Sequence, residues 1–467
     1  MREYTMSIGG AAVASPEQLG VVDPATGEVF AQAPVCRRKQ LDRAMASAQA
    51  AVGWGSDDHV RGPALRAAAD AVAAARDELA AVLSREQGKP VAAAQFEVTE
   101  TARWLAASAE LEIPRETVQD DERGHAVVER RPLGVVAAIT PWNFPLLLAG
   151  WKLGPALRAG NSVVLKPSPF TPLSTLALGE VLNRVLPPGV VNVVSGGDEL
   201  GAWMTQHPAV RKISFTGSVE TGKLIAAAAA PDLKRFTLEL GGNDAAIVLP
   251  DADVASLGRR LFWGAFINNG QICAGIKRVL VPEALHDELV ECLADWARKV
   301  RVGAGTEPRV QLGPVNNAPQ FERVSGLVED ALAQGAKAAA GGGPLDRPGY
   351  FFAPTILTGV AEGVRIVDEE QFGPALPVMT YRTVDEAVQR ANATSFGLSG
   401  SVWGTDTDRA AAVAAQLDSG VVFVNDHLTL EPHLPFGGVK WSGVGVENGP
   451  WGLEEFSSLR VLYQSRR

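Results

Sequence analysis

The 467-residue chain carries a formal charge of −10 and no Lys/Arg-rich run, which argues against non-specific binding to nucleic acid or to an anionic membrane surface. Its 46% hydrophobic and 21% charged residues are ordinary for a soluble globular protein, and the length allows two or three domains. Cys36, Cys273 and Cys292 are too scattered for a disulfide framework or a zinc site, and the six histidines show no ligand spacing, so no metal is expected.

The N-terminus lacks a basic start followed by an apolar core, so a cytoplasmic protein without a secretory signal is expected. Residues 41–52, 62–87 and 94–111 are alanine-rich with charge on one face and read as helices. Residues 134–151 are apolar enough to suggest a membrane span. Thr140, Pro141, Asn143 and Pro145 interrupt them, which favours strand, loop and helix. Short apolar runs at 134–139, 162–166, 190–194, 211–215, 236–240 and 245–249 then mostly alternate with helical stretches at 146–159, 171–185, 198–206 and 218–229. That alternation predicts a parallel sheet covered by helices, with ligands held by the loops at the C-terminal strand ends.

A second α/β series follows, with strands expected near 277–281, 364–367, 376–381, 398–403 and 420–425. Helices are expected near 283–300, 316–334, 384–393 and 407–417, and GGGPLDRPG (341–349) reads as a surface loop. The dinucleotide fingerprint G-x-G-x-x-G is absent; GVGVENG (443–449) has one residue too many. One other turn fits a phosphate. GSVETGKL (217–224) follows a strand-like run and opens a helix, so it suits either a nucleoside triphosphate or the diphosphate of a cofactor. For a P-loop hydrolase, Leu224 stands where the magnesium-ligating Ser/Thr belongs, and Pro250 intrudes before the acid of AAIVLPD (245–251).

Three residues stand out chemically. Cys273 lies in FINNGQICAGIKR, a loop of small and amide residues with no helical face to explain a buried thiol, whereas Cys292 shares a helix face with Leu285, Leu289, Trp296 and Val300. Glu239, in FTLELGGND, is a carboxylate in an apolar strand; burial would raise its pKa toward that of a general base, while a strand-end residue facing solvent is the plain alternative. Asn143, in TPWNFP, is a turn residue whose amide N–H could face a developing oxyanion.

PWNFP, LKPS, FTGS, LELGG, GQIC, EEQFGP and PFGGVKWSG occur in this order with wide separations. With them the sequence resembles the NAD(P)-dependent aldehyde dehydrogenase superfamily over essentially the whole chain; MSIGG and DPATGE (23–28) match its N-terminal hairpin. The resemblance implies an α/β fold of two Rossmann-like parallel-sheet domains plus a small β oligomerisation extension. Residues 1–113 and 133–244 would form the NAD(P)-binding domain and 245–443 the catalytic domain. Residues 114–132 and 455–467 would be oligomerisation segments, giving a homodimer or homotetramer.

By the same resemblance Cys273 is the nucleophile, Asn143 an oxyanion donor and Glu239 the base that hydrolyses a thioester, with Lys152 and Glu447 relaying its protons. Ile139, Thr140, Trp142, Lys166, Gly217, Ser218, Gly222, Glu370 and Phe372 match cofactor contacts. Phe144, Leu148, Trp151, Phe266 and Phe436 match the substrate tunnel, which implies a medium-sized aliphatic or aromatic aldehyde. His427 and His433 fall at the tunnel mouth, touching a polar substrate end or facing solvent. Many NAD-preferring members carry Glu three residues after the ribose-binding lysine; here Pro169 stands there, so NAD is expected with NADP not excluded. On this reading Leu224 is a core residue of its helix.

Overall fold

The computed structural model describes residues 3–55 and 58–466, and two largely parallel sheets organise them. Five mostly buried strands, Val135–Ile139, Ser162–Lys166, Val191–Val193, Val210–Thr216 and Arg235–Glu239, pair in parallel. Their near-continuous apolar runs suit a sheet covered on both faces. Taken in chain order they lie 3-2-1-4-5, and short antiparallel strands (Met6–Ile8, Ala11–Val13 and Gly443–Val444) finish the two edges. The order reverses between Val135–Ile139 and Val210–Thr216, so the loops leaving those two strands flank the crevice where such sheets bind ligands.

The second sheet has seven strands in the order Lys337–Ala340, Thr355–Thr358, Ala375–Tyr381, Ile276–Pro282, Asp244–Val248, Ser399–Trp403 and Val421–Val424. Only the first two pair antiparallel. Separate apolar clusters pack around it. Four residues, 240–243, carry the chain from the end of one sheet at Glu239 to the start of the other at Asp244. The C-terminal strand ends of the first sheet therefore face the N-terminal ends of the second, and the chemistry-bearing loops of both gather there.

A third, antiparallel sheet joins Ser457–Ser465, Gly124–Pro132 and Arg115–Asp121. It leaves Val118, Leu459, Val461 and Tyr463 more than half exposed. Among the described residues no helix is long and apolar enough to cross a membrane. Residues 134–151 divide into the strand Val135–Ile139, a loop, and the helix Pro145–Arg158, which starts on proline because its first N–H would have no partner anyway.

Two expected elements needed correction, and two strands were not expected at all. Residues 62–87 form two helices, Asp58–Ala74 and Arg76–Gln87, because the chain breaks at Ala75. The strand expected at 364–367 is a single helical turn, Arg365–Asp368, whose apolar Ile366 and Val367 bury themselves without any ladder. The strands Lys337–Ala340 and Thr355–Thr358 were missed, since KAAA has little β-forming character and its partner lies beyond a long loop.

Candidate active site

Cys273 is presented by an abrupt turn. After the helix Val254–Phe266, Asn268, Asn269 and Gly270 all adopt left-handed backbone angles (φ 51, 58 and 73), which asparagine and glycine tolerate best. The half-buried thiol lines a cavity of about 900 Å³. Burial, with the Glu370, Glu239 and Asp244 carboxylates adding to it, pushes its pKa up to about 12, and Lys277 opposes the rise.

Asn143 reaches this turn from the other sheet: its Nδ2 donates to the Gln271 carbonyl at 3.0 Å, and its Oδ1 is buried without a partner among the described residues. The loop is pinned from behind by Lys89, which sequence reasoning missed. The Lys89 ammonium donates to the Asn143 carbonyl (2.9 Å), lies 3.9 Å from the Phe144 ring centroid, and pairs with Glu97. Glu97 Oε1 in turn accepts from the backbone N–H groups of Leu146 and Leu147, the first turn of the helix carrying Lys152. Both side chains of the pair are essentially fully buried. Nothing in the run QGKPVAAAQFE distinguishes them from a solvated helix start.

Glu239 ends its strand buried rather than solvent-facing, and neither carboxylate oxygen has a partner among the described residues. Burial first, and then the Glu447 carboxylate, raise its pKa well above the usual range, while Lys152 opposes them. Lys152 and Glu447 form a buried ion pair at 2.6 Å, and Ser214 Oγ donates to the same Glu447 oxygen at 3.3 Å. The glycines after Glu239 permit a close approach. A Cβ on Gly242 would fall 2.7 Å from the Cys273 carbonyl oxygen, and one on Gly241 would collide with the Glu370 carboxylate.

The large cavity runs from Cys273 and Asn143 past Trp142, Glu370 and Phe372 to Gly217, Ser218 and Trp441. Trp142 and Phe372 meet edge to face, ring centroids 5.2 Å apart. Ser218 caps the helix Val219–Ala229 by accepting from the Thr221 N–H, which leaves first-turn N–H groups for an anion. Burial raises Glu370 to about 7 and lowers Lys166 to about 8; Lys166 lies behind the lining, donating to the Pro167 carbonyl. Ile139 and Thr140 are buried at the strand end just before the lining residues. Gly222 does not line the cavity; it lets its helix pack on Leu240. Two details weigh against a P-loop. The Lys223 ammonium lies over the Trp441 ring (3.6 Å), and Leu224, expected in the core, is 66% exposed because it points away from the sheet. Among the described residues no group of three metal-ligating side chains occurs.

On the opposite side of Cys273, Phe144, Leu148, Trp151 and Phe436 form one apolar cluster with Trp104 and Ala274. Trp151 stacks on Trp104 (5.6 Å) and meets Phe436 edge-on (5.3 Å). Trp104, a second residue missed in the sequence, is held by its Nε1–H donating to Asn448 Oδ1. Phe266 is not part of this cluster. It is fully buried and stacked on Phe262 in the core beneath the second sheet, because the turn at Asn268 carries the chain away from its helix face. His427 is buried, one ring nitrogen 2.8 Å from the Ala274 carbonyl, and burial lowers its pKa to about 4; His433 is exposed. A second cavity of about 340 Å³ abuts Phe436 and is lined by Leu430, Leu434, Phe423, Thr429, Glu431 and Asp426 among others, with no cationic side chain.

A thiol and an amide donor on the wall of one cavity, with the Glu239 carboxylate outside that lining but close enough for its charge to act on the thiol, provide the groups for covalent chemistry at a carbonyl. The chain belongs to the aldehyde dehydrogenase family, whose model matches residues 12–462, and it is accordingly an oxidoreductase acting on aldehydes. It is 38% identical to retinaldehyde dehydrogenase 3 of Homo sapiens over 460 residues, 96% of this chain and 90% of that protein. Among solved structures it is similar to the NAD+ complex of an aldehyde dehydrogenase from Bacillus cereus, with 34% identity, a TM-score of 0.97, and 100% and 97% of the two chains covered. It is also similar to betaine aldehyde dehydrogenase from Staphylococcus aureus in complex with NAD+, with 33% identity, a TM-score of 0.95, and 99% and 94% covered.

Proposed function

We propose that this chain oxidises a medium-sized apolar aldehyde to its carboxylic acid with NAD as hydride acceptor, through a covalent intermediate on Cys273. The observation that carries the reading is the convergence of Cys273, Asn143 and the unpartnered Glu239 carboxylate on one site. The cavity beside Cys273 suits a dinucleotide: it ends at a capped helix N-terminus and carries a carboxylate, Glu370, on its wall. Gly217, Ser218, Trp142, Glu370 and Phe372 would hold the dinucleotide, with Lys166 behind them. NAD+, when bound, supplies the acceptor for the aldehyde hydride.

The protein's own groups do the rest. Cys273 Sγ, once deprotonated, forms the S–C bond to the aldehyde carbon, and the carbonyl oxygen takes the negative charge. The second N–H of the Asn143 amide and the Cys273 backbone N–H stabilise that oxyanion. When it collapses with loss of hydride, an acyl thioester remains on Cys273. Glu239 then takes a proton from water as the water oxygen attacks the acyl carbon; the C–S bond breaks, the acid leaves and the thiolate returns. The Lys152–Glu447 pair, whose charges both act on Glu239, passes that proton onward.

The aromatic cluster favours apolar aldehydes, and in the second cavity an aldehyde bearing a carboxylate would meet Glu431 and Asp426, whose nearby cations Arg103 and Arg260 are already paired to them. With Pro169 where a glutamate would repel a 2′-phosphate, NADP is not excluded beside NAD. On this reading the first sheet belongs to a cofactor-binding unit (1–113 and 133–244) and the second to a catalytic unit (245–443), bounds that the strands Asp244–Val248 and Gly443–Val444 cross by one residue each. The projecting third sheet, 114–132 with 455–467, joins copies of the chain through its exposed Leu459, Val461 and Tyr463. The test is Cys273→Ala assayed with a panel of aldehydes and both cofactors. Aldehyde-dependent NAD(P)H formation should vanish while cofactor binding persists; retained turnover sinks the nucleophile assignment.

A further inference from the structure

Lys277 is a buried ammonium for which the reaction above has no use. It is the second residue of the strand Ile276–Pro282, 2% exposed, and among the described residues it has no ion-pair partner. Its Nζ instead donates to two backbone carbonyls of the turn that presents the thiol, Ile272 at 2.7 Å and Gly270 at 3.0 Å. Its own carbonyl accepts from Gln371 Nε2 (2.9 Å), the neighbour of Glu370, so the strand start, the thiol turn and the Glu370 loop are tied at one residue.

The Ile272 bond matters because of peptide geometry. In a trans peptide the C=O and the following N–H point in opposite directions. Fixing the Ile272 carbonyl toward Lys277 therefore aims the Cys273 N–H away from it. The adjoining peptide is fixed as well, since the Gln271 carbonyl accepts from Asn143 Nδ2. The buried cation, with a longer bond from the Gly275 N–H to the same carbonyl (3.4 Å), thus holds the plane of the backbone donor, and the bond to Asn143 registers that donor against the side-chain donor. Taking an ammonium out of water is costly, and a neutral side chain could fill the same volume. The charge itself has a target: three carboxylates, Glu370, Glu239 and Asp244, act on the Cys273 thiol against ionisation, and Lys277 acts for it. The groups facing Lys277 are Glu370, Asp244 and Cys273, with His427 within reach of its field and Phe372 5.3 Å from its Nζ.

We infer that Lys277 is a positioning residue for the oxyanion site: the two hydrogen bonds of its ammonium orient the Ile272–Cys273 peptide and so the backbone donor beside the thiol. The inference rests on Cys273 being the nucleophile.

The experiment compares wild type, Lys277→Met and Lys277→Arg by two readouts: the rate of Cys273 alkylation by iodoacetamide across pH, followed by peptide mass with Cys36 and Cys292 as internal controls, and steady-state aldehyde oxidation. Lys277→Met should slow Cys273 alkylation about tenfold at each pH below its midpoint, the equivalent of one pKa unit. It should also lower kcat about 10²-fold, the scale of a small misplacement of reacting groups, with the KM for the cofactor changed less than about threefold. Lys277→Arg, which keeps the charge and the donors, should restore much of the alkylation rate. A merely structural role would lower the melting temperature without moving the alkylation profile. Should Lys277→Met fail to fold, Lys277→Gln keeps a neutral donor for the carbonyls and carries the same alkylation test. Alkylation and kcat both within about twofold of wild type in a folded neutral variant overturn the inference. If Cys273→Ala still turns over, the nucleophile reading falls first; if Cys273 is essential but labels at the wild-type rate without Lys277, only this inference falls.

Discussion

The surroundings of Cys273 and those of Glu239 are held differently. Around the thiol turn the backbone carbonyls are fixed by side chains: Asn143 holds Gln271, Lys277 holds Gly270 and Ile272, and Lys89 with Glu97 holds the Asn143 loop, although Asn143 Oδ1 and the Asn269 amide are buried without a partner among the described residues. Around Glu239 it is charge that is left unpartnered: among the described residues both of its carboxylate oxygens and one oxygen of Glu447 have no hydrogen-bond partner. A group that stabilises charge at a fixed point gains from being preorganised, whereas a base that must meet water and then pass on a proton gains from an environment that leaves it reactive. Unsatisfied buried carboxylate oxygens are costly, which suits the role proposed for Glu239 as the base that meets water.

That contrast can be broken from either side. The largest effect should come from Glu239→Gln, which leaves the thiol turn intact: thioester hydrolysis should fall by about 10²–10⁴-fold, and acyl-enzyme should accumulate as added mass on Cys273. In wild type the hydrolytic step should rise with pH through a midpoint above the ordinary carboxylate range, because burial and Glu447 raise the Glu239 pKa and only the ionised form accepts a proton. Normal turnover of the glutamine variant would assign the base elsewhere.

Next in size is the clamp behind Asn143. Lys89→Met alone leaves Glu97 buried and unpaired, a loss of about 3–5 kcal/mol of stability. Lys89→Met with Glu97→Gln removes both charges while keeping an acceptor for the Leu146 N–H, so thermal unfolding should recover toward wild type. Its kcat should stay down by about 10–10²-fold, since the Asn143 carbonyl has lost its anchor. Recovery of kcat together with stability would show that the pair serves the fold alone.

The smallest effect concerns His427, which is neutral in its buried position with a folded pKa of about 4 against an ordinary value of 6.5. The unfolded chain binds this proton more readily, so its contribution to stability is complete above about pH 6.5 and is lost as pH falls toward 4, by roughly 1–3 kcal/mol. His427→Gln should flatten that segment of the curve in melting experiments at pH 7 and pH 5. An equally steep fall in the variant would place the sensitivity in the carboxylates instead.

Much of the architecture was readable along the chain because parallel strands buried on both faces must be continuous apolar runs, and their helices must be amphipathic. The runs at 134–139, 162–166 and 211–215 became strands within a residue or two, and the helix at 198–206 fell as expected. Where local composition carried no such signal, as in KAAA at 337–340 or RIVD at 365–368, the reading missed or misassigned the element. Cys273, Asn143 and Glu239 stood out because each breaks its local pattern: a thiol in a loop, an amide between prolines, a charge inside an apolar strand; their roles came from the ordered motifs around them.

The sequence by itself thus determined most of the parallel strands with their helices, and which residues are chemically out of place. Only the tertiary structure decided what each of those residues meets. It moved Phe266 into the core, where a run of left-handed residues turns the chain away from it, and exposed Leu224 on the outer side of its helix. It also brought Lys89, Glu97 and Lys277 to the site. Their spacing along the chain is that of ordinary surface lysines and glutamates, and burial beside backbone carbonyls is a property no local pattern encodes.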